Sequence, residues 1–411
     1  MKNVRWVLIF LWVVSSLLQA SRHEPWRDEA QAWLVARHAG SLSELLFRPA
    51  MEASGPIYYL LLWPVTRIFE FAPGIFWFSW TGSLVAVILL STFLPLSFLP
   101  LVLFGAYWGY EYSVIGRLYG WGCALFLAGV YFDRRGDRRA ALAFLSLAVW
   151  TQLNFLFPVI AWVFSREWKR YWPVLLSGVL SVLYLKIGGP HPWDSPGLIG
   201  LVPRRLFSSL GLPFLQWPLP LETWGALGLV GGLSVLSRKE KIAMALALFP
   251  YTFLFALVYA GHASLRHAGP LNCVWLLFCA EKKKPWAIFL LLAVSLTATW
   301  TKGKQDWNEV FSDGLSAARK ISELSSHPIL HAESPLQGFV AAAVLDLPLA
   351  VEEKWVGEPF YSVSSTPVTC PAKDCFYLGR KPPPGTGWEK VYSATATIIL
   401  DEAFDVFRRT N

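Results

Sequence analysis

Long apolar runs broken by short polar connectors organise most of the chain, a rhythm unlike the alternating or helical-period patterns of soluble elements. Runs such as Val4 to Ala20, Ile242 to Ala260 and Trp286 to Trp300 have or approach the length of a membrane span. Others lie at Pro56 to Phe71, Ile75 to Phe93, Leu94 to Tyr110, Val114 to Phe132 and Tyr171 to Ile187, with a long one ending at Leu236 after the Pro-rich stretch Gly188 to Arg205. Between Ala140 and Ser165 two short runs flank a polar break, Trp150-Thr151-Gln152-Leu153-Asn154. After Lys302 the pattern becomes mixed. Ser312 to Ser325 places Leu315, Ala318, Ile321 and Leu324 on one helical face, Pro328 to Ala332 reads as a strand, Leu336 to Leu345 as a helix and Thr395 to Leu400 as a late strand. The expectation is a polytopic α-helical membrane protein: a multi-span domain over 1–301, then a small α/β domain over 302–411.

Composition sharpens this. Of 411 residues 55% are hydrophobic and 16% charged, with 22 Trp and 28 Phe, more apolar surface than a soluble core hides. The net charge of +8 would suit nucleic acid, but much of the Lys and Arg occupies connectors: Asp133 to Arg139 (DRRGDRR), Arg166 to Arg170 (REWKR), Arg238 to Lys241 (RKEK) and Glu281 to Lys284 (EKKK), with Lys2 and Arg5 at the first span. That is the positive-inside pattern, so nucleic acid is excluded as a partner and the N-terminus is expected in the cytoplasm. A cleaved signal peptide is the other reading of Val4 to Ala20; a retained helix is preferred.

This orientation puts Ser21 to Gly55 outside as a long first outer loop (21–55), and the C-terminal domain is then extracytoplasmic. Pro25 suits the start of a helix running to about His38, and Ser41 with Glu44 forms a capping box for a second short helix ending before Pro49. Trp33, Leu34, Leu42, Leu45, Leu46 and Phe47 would let both lie on the membrane surface. The four runs between Pro56 and Phe132 must then cross an odd number of times, so one of them does not span. Cys123, Cys273 and Cys279 read as small core residues, whereas Cys370 and Cys375, outside the membrane, suit a disulfide better than a metal site.

The strongest chemical signal is Glu24-Pro25-Trp26-Arg27-Asp28-Glu29-Ala30-Gln31-Ala32-Trp33, just after the first span. Acids in a helix's first turn also suit the helix dipole without doing chemistry. Glu111-Tyr112-Ser113-Val114-Ile115-Gly116-Arg117-Leu118-Tyr119-Gly120 sets an arginine two residues before a tyrosine. That is either a phosphate ligand, since a guanidinium fork binds two oxygens, or a snorkelling interface residue. Leu265-Arg266-His267-Ala268-Gly269-Pro270 adds two cations at a late outer hairpin, placed to hold a leaving phosphate or simply solvated. Asn154 sits in the polar break, as a weaker member of the set.

At these residues the sequence resembles the GT-C superfamily, specifically bacterial family 39-like transferases related to protein mannosyltransferases and aminoarabinose transferases. The resemblance covers about the first 300 residues in order and spacing. It implies Asp28 as catalytic base or acceptor-orienting carboxylate with Glu29 in support, and Arg117, Tyr119, Arg266 and His267 as donor-phosphate ligands. Glu52 to Pro64 resembles a family stretch in which a Gly, a His and a Pro precede a Tyr-rich span. Ser54 stands where the His is often seen, and Glu52 is kept as an acceptor or pocket residue with Asn154. Some members use a divalent metal, but no second carboxylate cluster completes a hard-ion site here.

The expected fold is thus GT-C-like, and the expected activity is transfer of a hexosyl or pentosyl group from a polyprenyl-phosphate carrier to a glycan, lipid or protein acceptor at the outer face of the plasma (inner) membrane. A transporter or flippase of an anionic or lipid-linked cargo would place ionisable residues at mid-membrane and show paired repeats, neither of which is evident. A non-catalytic envelope assembly protein would make Asp28 dispensable. No Gly-rich phosphate loop, HExxH or nucleophile elbow is present.

Overall fold

The computed structural model describes residues 2–47, 54–187, 229–258, 265–280, 285–308, 312–333, 335–347, 349–351, 374–383, 387–394 and 404–410. The expected segments at Gly188 to Arg205 and Thr395 to Leu400, together with Glu52 and Cys370, lie outside these residues.

The helices are α1 Lys2–Ala20, α2 Arg27–Arg37, α3 Leu42–Phe47, α4 Pro56–Ile68, α5 Phe71–Phe93, α6 Leu99–Leu103, α7 Tyr119–Arg134, α8 Arg138–Val149, α9 Leu156–Ser165, α10 Trp172–Ile187, α11 Arg238–Val258, α12 Leu265–Cys279 and α13 Pro285–Asn308. Among the described residues, α5 and the Asn3–Ala20 stretch of α1 are long and apolar enough to cross a membrane. The outer faces of the bundle are apolar: Phe10 and Leu18 of α1, Val179 and Leu183 of α10 and Phe249 of α11 all stand exposed. Apolar faces of this extent suit lipid better than water.

The geometry shows which of the four runs does not follow the length of the bundle. Gly55 N–H donates to Thr151 O at 3.1 Å and Ile57 N–H to Trp150 O at 3.2 Å, fixing the start of α4 to the polar break. Its far end is fixed to the end of α2, where Arg67 Nη2 donates to Ala39 O at 2.9 Å and Arg37 Nη1 donates to Thr66 O. Both ends of α4 therefore sit at one end of the bundle, and its 13 residues reach only about 20 Å. By contrast, α5 starts where Gly74 abuts the Trp33 ring and finishes at Leu94, whose carbonyl accepts from Arg5 Nη2 at 3.2 Å. The chain climbs back beside α1 as a broken element. Trp12 Nε1 donates to Trp108 O at 2.7 Å and Gln19 Nε2 to Gly109 O at 3.2 Å, past α6 and a π-helical turn at Tyr107–Glu111. Then α7 descends next to α5 until Arg134 lies 4.8 Å from the Phe93 ring. Among the described residues the chain thus runs the length of the bundle three times between Phe71 and Arg134, and α4 does not.

At the far end the sequence DRRGDRR writes its own turn. Gly136 adopts φ 81°, the left-handed conformation that a side chain disfavours, and closes α7 with Gly136 N–H to Asp133 O at 3.1 Å and Asp137 N–H to Phe132 O at 3.0 Å. Asp137 then caps α8 by accepting from Ala140 N–H at 3.1 Å. This arginine end also holds REWKR, through Arg138 Nη2 to Arg170 O at 2.7 Å.

The C-terminal part carries α14 Gly314–Leu324, β1 Ile329–Ala332, α15 Pro335–Leu345, β2 Leu349–Val351, β3 Cys375–Gly379, β4 Trp388–Ala394 and β5 Phe404–Arg409. The sheet order is β2-β1-β3-β5-β4, with β1 parallel to β2 and β3, and β5 antiparallel to β3 and β4. Cys375 is disulfide-bonded, and its partner is outside the described residues. On the membrane side, α13 runs without interruption to Asn308.

Two expectations need correction. Helix α2 does not lie on the membrane surface: Trp33 and Leu34 are each 2% exposed because α2 packs on α4, α5 and α15. Alanines buried in both α2 and α15, such as Ala32, Ala36, Ala341 and Ala342, let these helices approach closely. The cation pair expected in a hairpin tip instead opens α12, which begins at Leu265 and keeps Pro270 inside it.

Candidate active site

The start of α2 is built from its own sequence. Pro25 leads in, Trp26 is the N-cap, and Glu29 at the third helical position turns back to accept from Trp26 N–H at 2.9 Å, one half of a capping box. The other carboxylate oxygen accepts from Gly116 N–H. His23 Nε2 stands 3.5 Å from Glu29 Oε2, and the Glu29 side chain is 2% exposed. A Cβ on residue 116 would fall 2.7 Å from Glu29 Oε1, so the close approach requires glycine there. Glu29 thus pins the first turn of α2 to the segment after the π turn.

Asp28, one residue earlier, faces cations. Its carboxylate lies 3.8 Å from Arg117 Nη2 and 3.6 Å from Arg27 Nε, while Arg117 Nη1 donates to the Asp28 carbonyl at 2.6 Å. The Asp28 side chain keeps 27% of its exposure and Arg117 15%, so both remain open to a ligand while partly desolvated. Partial desolvation strengthens a charge-assisted contact relative to bulk water.

Two residues on, Tyr119 opens α7 and is buried. Its ring stacks on Tyr112 with centroids 5.4 Å apart and meets the His267 ring edge-on at 6.0 Å. Gln152 Nε2 reaches the Tyr119 hydroxyl at 3.5 Å, and Asn154 is buried on the adjoining 3-10 turn Leu153–Phe155. Helix α12 comes this close because Gly269 lies against Tyr112, where a Cβ would be 1.9 Å from the hydroxyl oxygen. The short stretch 116–119 therefore joins Glu29 and Asp28 on one side to His267 and the Gln152 break on the other. The Arg266 backbone lies in the first turn of α12.

Three residues not singled out from sequence belong to this neighbourhood. His23 sits just ahead of the Asp-Glu motif, and Gln152 lies inside the polar break. Glu111 is 3% exposed on the π turn. Its signal was readable, an acid set between the aromatic run Tyr107-Trp108-Gly109-Tyr110 and Tyr112, surroundings in which a carboxylate is uncommon unless it is paired. Among the described residues, no group of three or more His, Cys, Asp or Glu is gathered to hold a metal ion.

No family model and no curated protein matches the chain. Among solved structures it is similar to two of ArnT from Cupriavidus metallidurans. The crystal structure in the apo state has 14% identity and a TM-score of 0.46, covering 99% of this chain and 98% of that one. The crystal structure bound to undecaprenyl phosphate has 14% identity and a TM-score of 0.42, covering 86% of each.

Proposed function

We propose that this protein is a membrane glycosyltransferase that takes a sugar from a polyprenyl-phosphate carrier, with its chemistry at the end of the bundle that holds Asp28. The observation that carries the reading is the division of labour between two adjacent acids. Glu29 is buried and spent on backbone N–H groups, whereas Asp28 is partly exposed and faces Arg117 at 3.8 Å. In the reaction the acceptor hydroxyl oxygen attacks the anomeric carbon and its proton passes to the Asp28 carboxylate. The bond from that carbon to the phosphate oxygen breaks, its electron pair leaves with the carrier phosphate, and the sugar is inverted. Arg117 meets the charge that grows on the departing phosphate, and the same role is assigned to His267, with Arg266 beside it in the chain. Tyr119 and Asn154 shape the wall between them. The membrane supplies the apolar solvent for the carrier's chain.

The test is sugar transfer by purified protein in proteoliposomes supplied with a panel of polyprenyl-phosphate sugars and candidate acceptors. Asp28→Asn is expected to lower turnover by about 10²- to 10⁴-fold at unchanged melting temperature. Equal turnover in the variant removes Asp28 from the chemistry. Transfer by neither protein with any donor counts against the carrier assignment and favours a transport or assembly role.

A further inference from the structure

The helix that presents Asp28 is held at both ends by the C-terminal domain. Ahead of its first turn, Glu24 Oε2 accepts from Ser312 N–H at 3.3 Å. Its last residue, Arg37, grips Asp346 at the end of α15: Nε donates to Oδ1 at 3.1 Å and to Oδ2 at 3.2 Å, and Nη2 donates to Oδ2 at 2.6 Å. His38 Nε2 approaches the same carboxylate at 3.9 Å, and Arg37 Nη1 donates to the Thr66 carbonyl of α4. One guanidinium thus joins three elements: α2, α4 and the C-terminal domain.

The backbone at Asp346 is informative on its own. It is the non-glycine residue with positive φ among those described, at 53°, and Leu347 N–H closes α15 onto Ala342 O at 3.0 Å. A helix ending of this kind calls for glycine at the left-handed position. A carboxylate stands there instead, and it is the carboxylate that Arg37 binds. A backbone cost retained at one position, matched to a bidentate ionic contact, marks that contact as more than surface decoration.

We propose that Arg37 and Asp346 are positioning residues through which the C-terminal domain sets α2, and with it Asp28, against Arg117. This rests on the reading of Asp28 given above. The logic is that of a rigid lever: α2 is 11 residues long, so a change of seat at Arg37 is passed along an unbroken helix to its first turn. Misplacing a reacting group by about 1 Å costs up to about 10²-fold in rate. The hydrogen bonds from Arg37 hold the Asp346 carboxyl below its ordinary value, so the pair is charged at neutral pH.

The experiment is a double-mutant cycle in the full-length protein in proteoliposomes, using whichever polyprenyl-phosphate sugar supports turnover. Asp346→Asn keeps a side chain that tolerates positive φ, and Asp346→Gly removes the carboxylate while relieving the backbone, so a folded variant is available. Each, like Arg37→Gln, is expected to lower kcat about tenfold with the donor KM within about twofold, and Asp346→Asn is expected to add nothing in the Arg37→Gln background. Amide exchange across 28–36, measured on the same proteins, is expected to quicken in each single variant. Wild-type kcat in Asp346→Gly and Asp346→Asn overturns the proposal, whatever the exchange shows. If Asp28→Asn also turns over normally, it is the functional reading that has failed, and exchange alone then decides whether the pair seats α2: unchanged exchange overturns that too.

Discussion

The two ends of the helix bundle each place an acid among arginines and aromatic rings, and they use it differently. At the arginine end, Asp133 accepts from Trp162 Nε1 at 3.0 Å and from the Tyr171 hydroxyl, joining α7, α9 and the turn before α10. The arginines around it, such as Arg134, Arg135 and Arg138, are exposed and spend their guanidinium groups on aromatic rings and a backbone carbonyl. At the carboxylate end the arginine is turned inward: Arg117 is held on the Asp28 carbonyl, and its guanidinium faces the Asp28 carboxylate. The lesson is that an acid–arginine–aromatic composition does not by itself make a site. What distinguishes the ends is whether the acid is consumed as a joint, as Asp133 and Glu29 are, or remains accessible beside an inward-facing cation, as Asp28 does.

Five substitutions sharpen that contrast, from the largest expected effect downward. Asp28→Asn carries the largest, a loss of about 10²- to 10⁴-fold in transfer with thermal stability retained; a variant that loses stability instead would put Asp28 in the same class as Asp133. Next come the changes that attack the joint next to it. Glu29→Gln and Gly116→Ala are each expected to cost about 1–3 kcal/mol, the first by setting an amide N–H₂ against backbone donors and the second by forcing a Cβ onto the carboxylate, as read by chemical or thermal unfolding in detergent.

Asp133→Asn is expected to cost about 1–2 kcal/mol in the same unfolding assay while leaving kcat as it was. A drop in kcat there would erase the distinction between the two ends. The smallest effect on stability belongs to Asp346. Its carboxyl is held below the usual value by Arg37, so folding is favoured while that group is ionised. The contribution is present above about pH 4 and lost as acidification passes through the lowered value. For a pair this exposed it amounts to about 0.5–1 kcal/mol. Melting curves of wild type and Asp346→Asn should therefore converge as the pH falls below about 4.

The order of apolar runs and basic connectors was legible because lipid and charge act on composition, one segment at a time. Helices α1, α5 and α7 follow from their runs, and Gly136 with Asp137 is a turn and cap that any such spacing encodes. The Ser41–Glu44 cap was also local: Glu44 N–H donates to Ser41 Oγ at 3.2 Å, although the Glu44 carboxylate takes Gly40 N–H in place of the expected residue. In the C-terminal domain, α14, β1 and α15 announced themselves by period, with bounds within a few residues. Strands β3, β4 and β5 did not, because short strands carry their signal in partners that lie far along the chain.

By itself, then, the sequence determined that the chain is a helical bundle with an apolar exterior, that its cations gather in short connectors, and that an Asp-Glu pair opens the helix after the first one. All of these are properties of neighbouring residues and their solvent. Only the tertiary structure decided which run lies across the end of the bundle, that α2 is sandwiched under α15 and not laid on lipid, and that Glu29 is a joint while Asp28 faces Arg117. Those outcomes depend on contacts between residues nearly ninety or several hundred positions apart, such as Gly116 with Glu29 and Asp346 with Arg37, and no local pattern encodes a partner that distant.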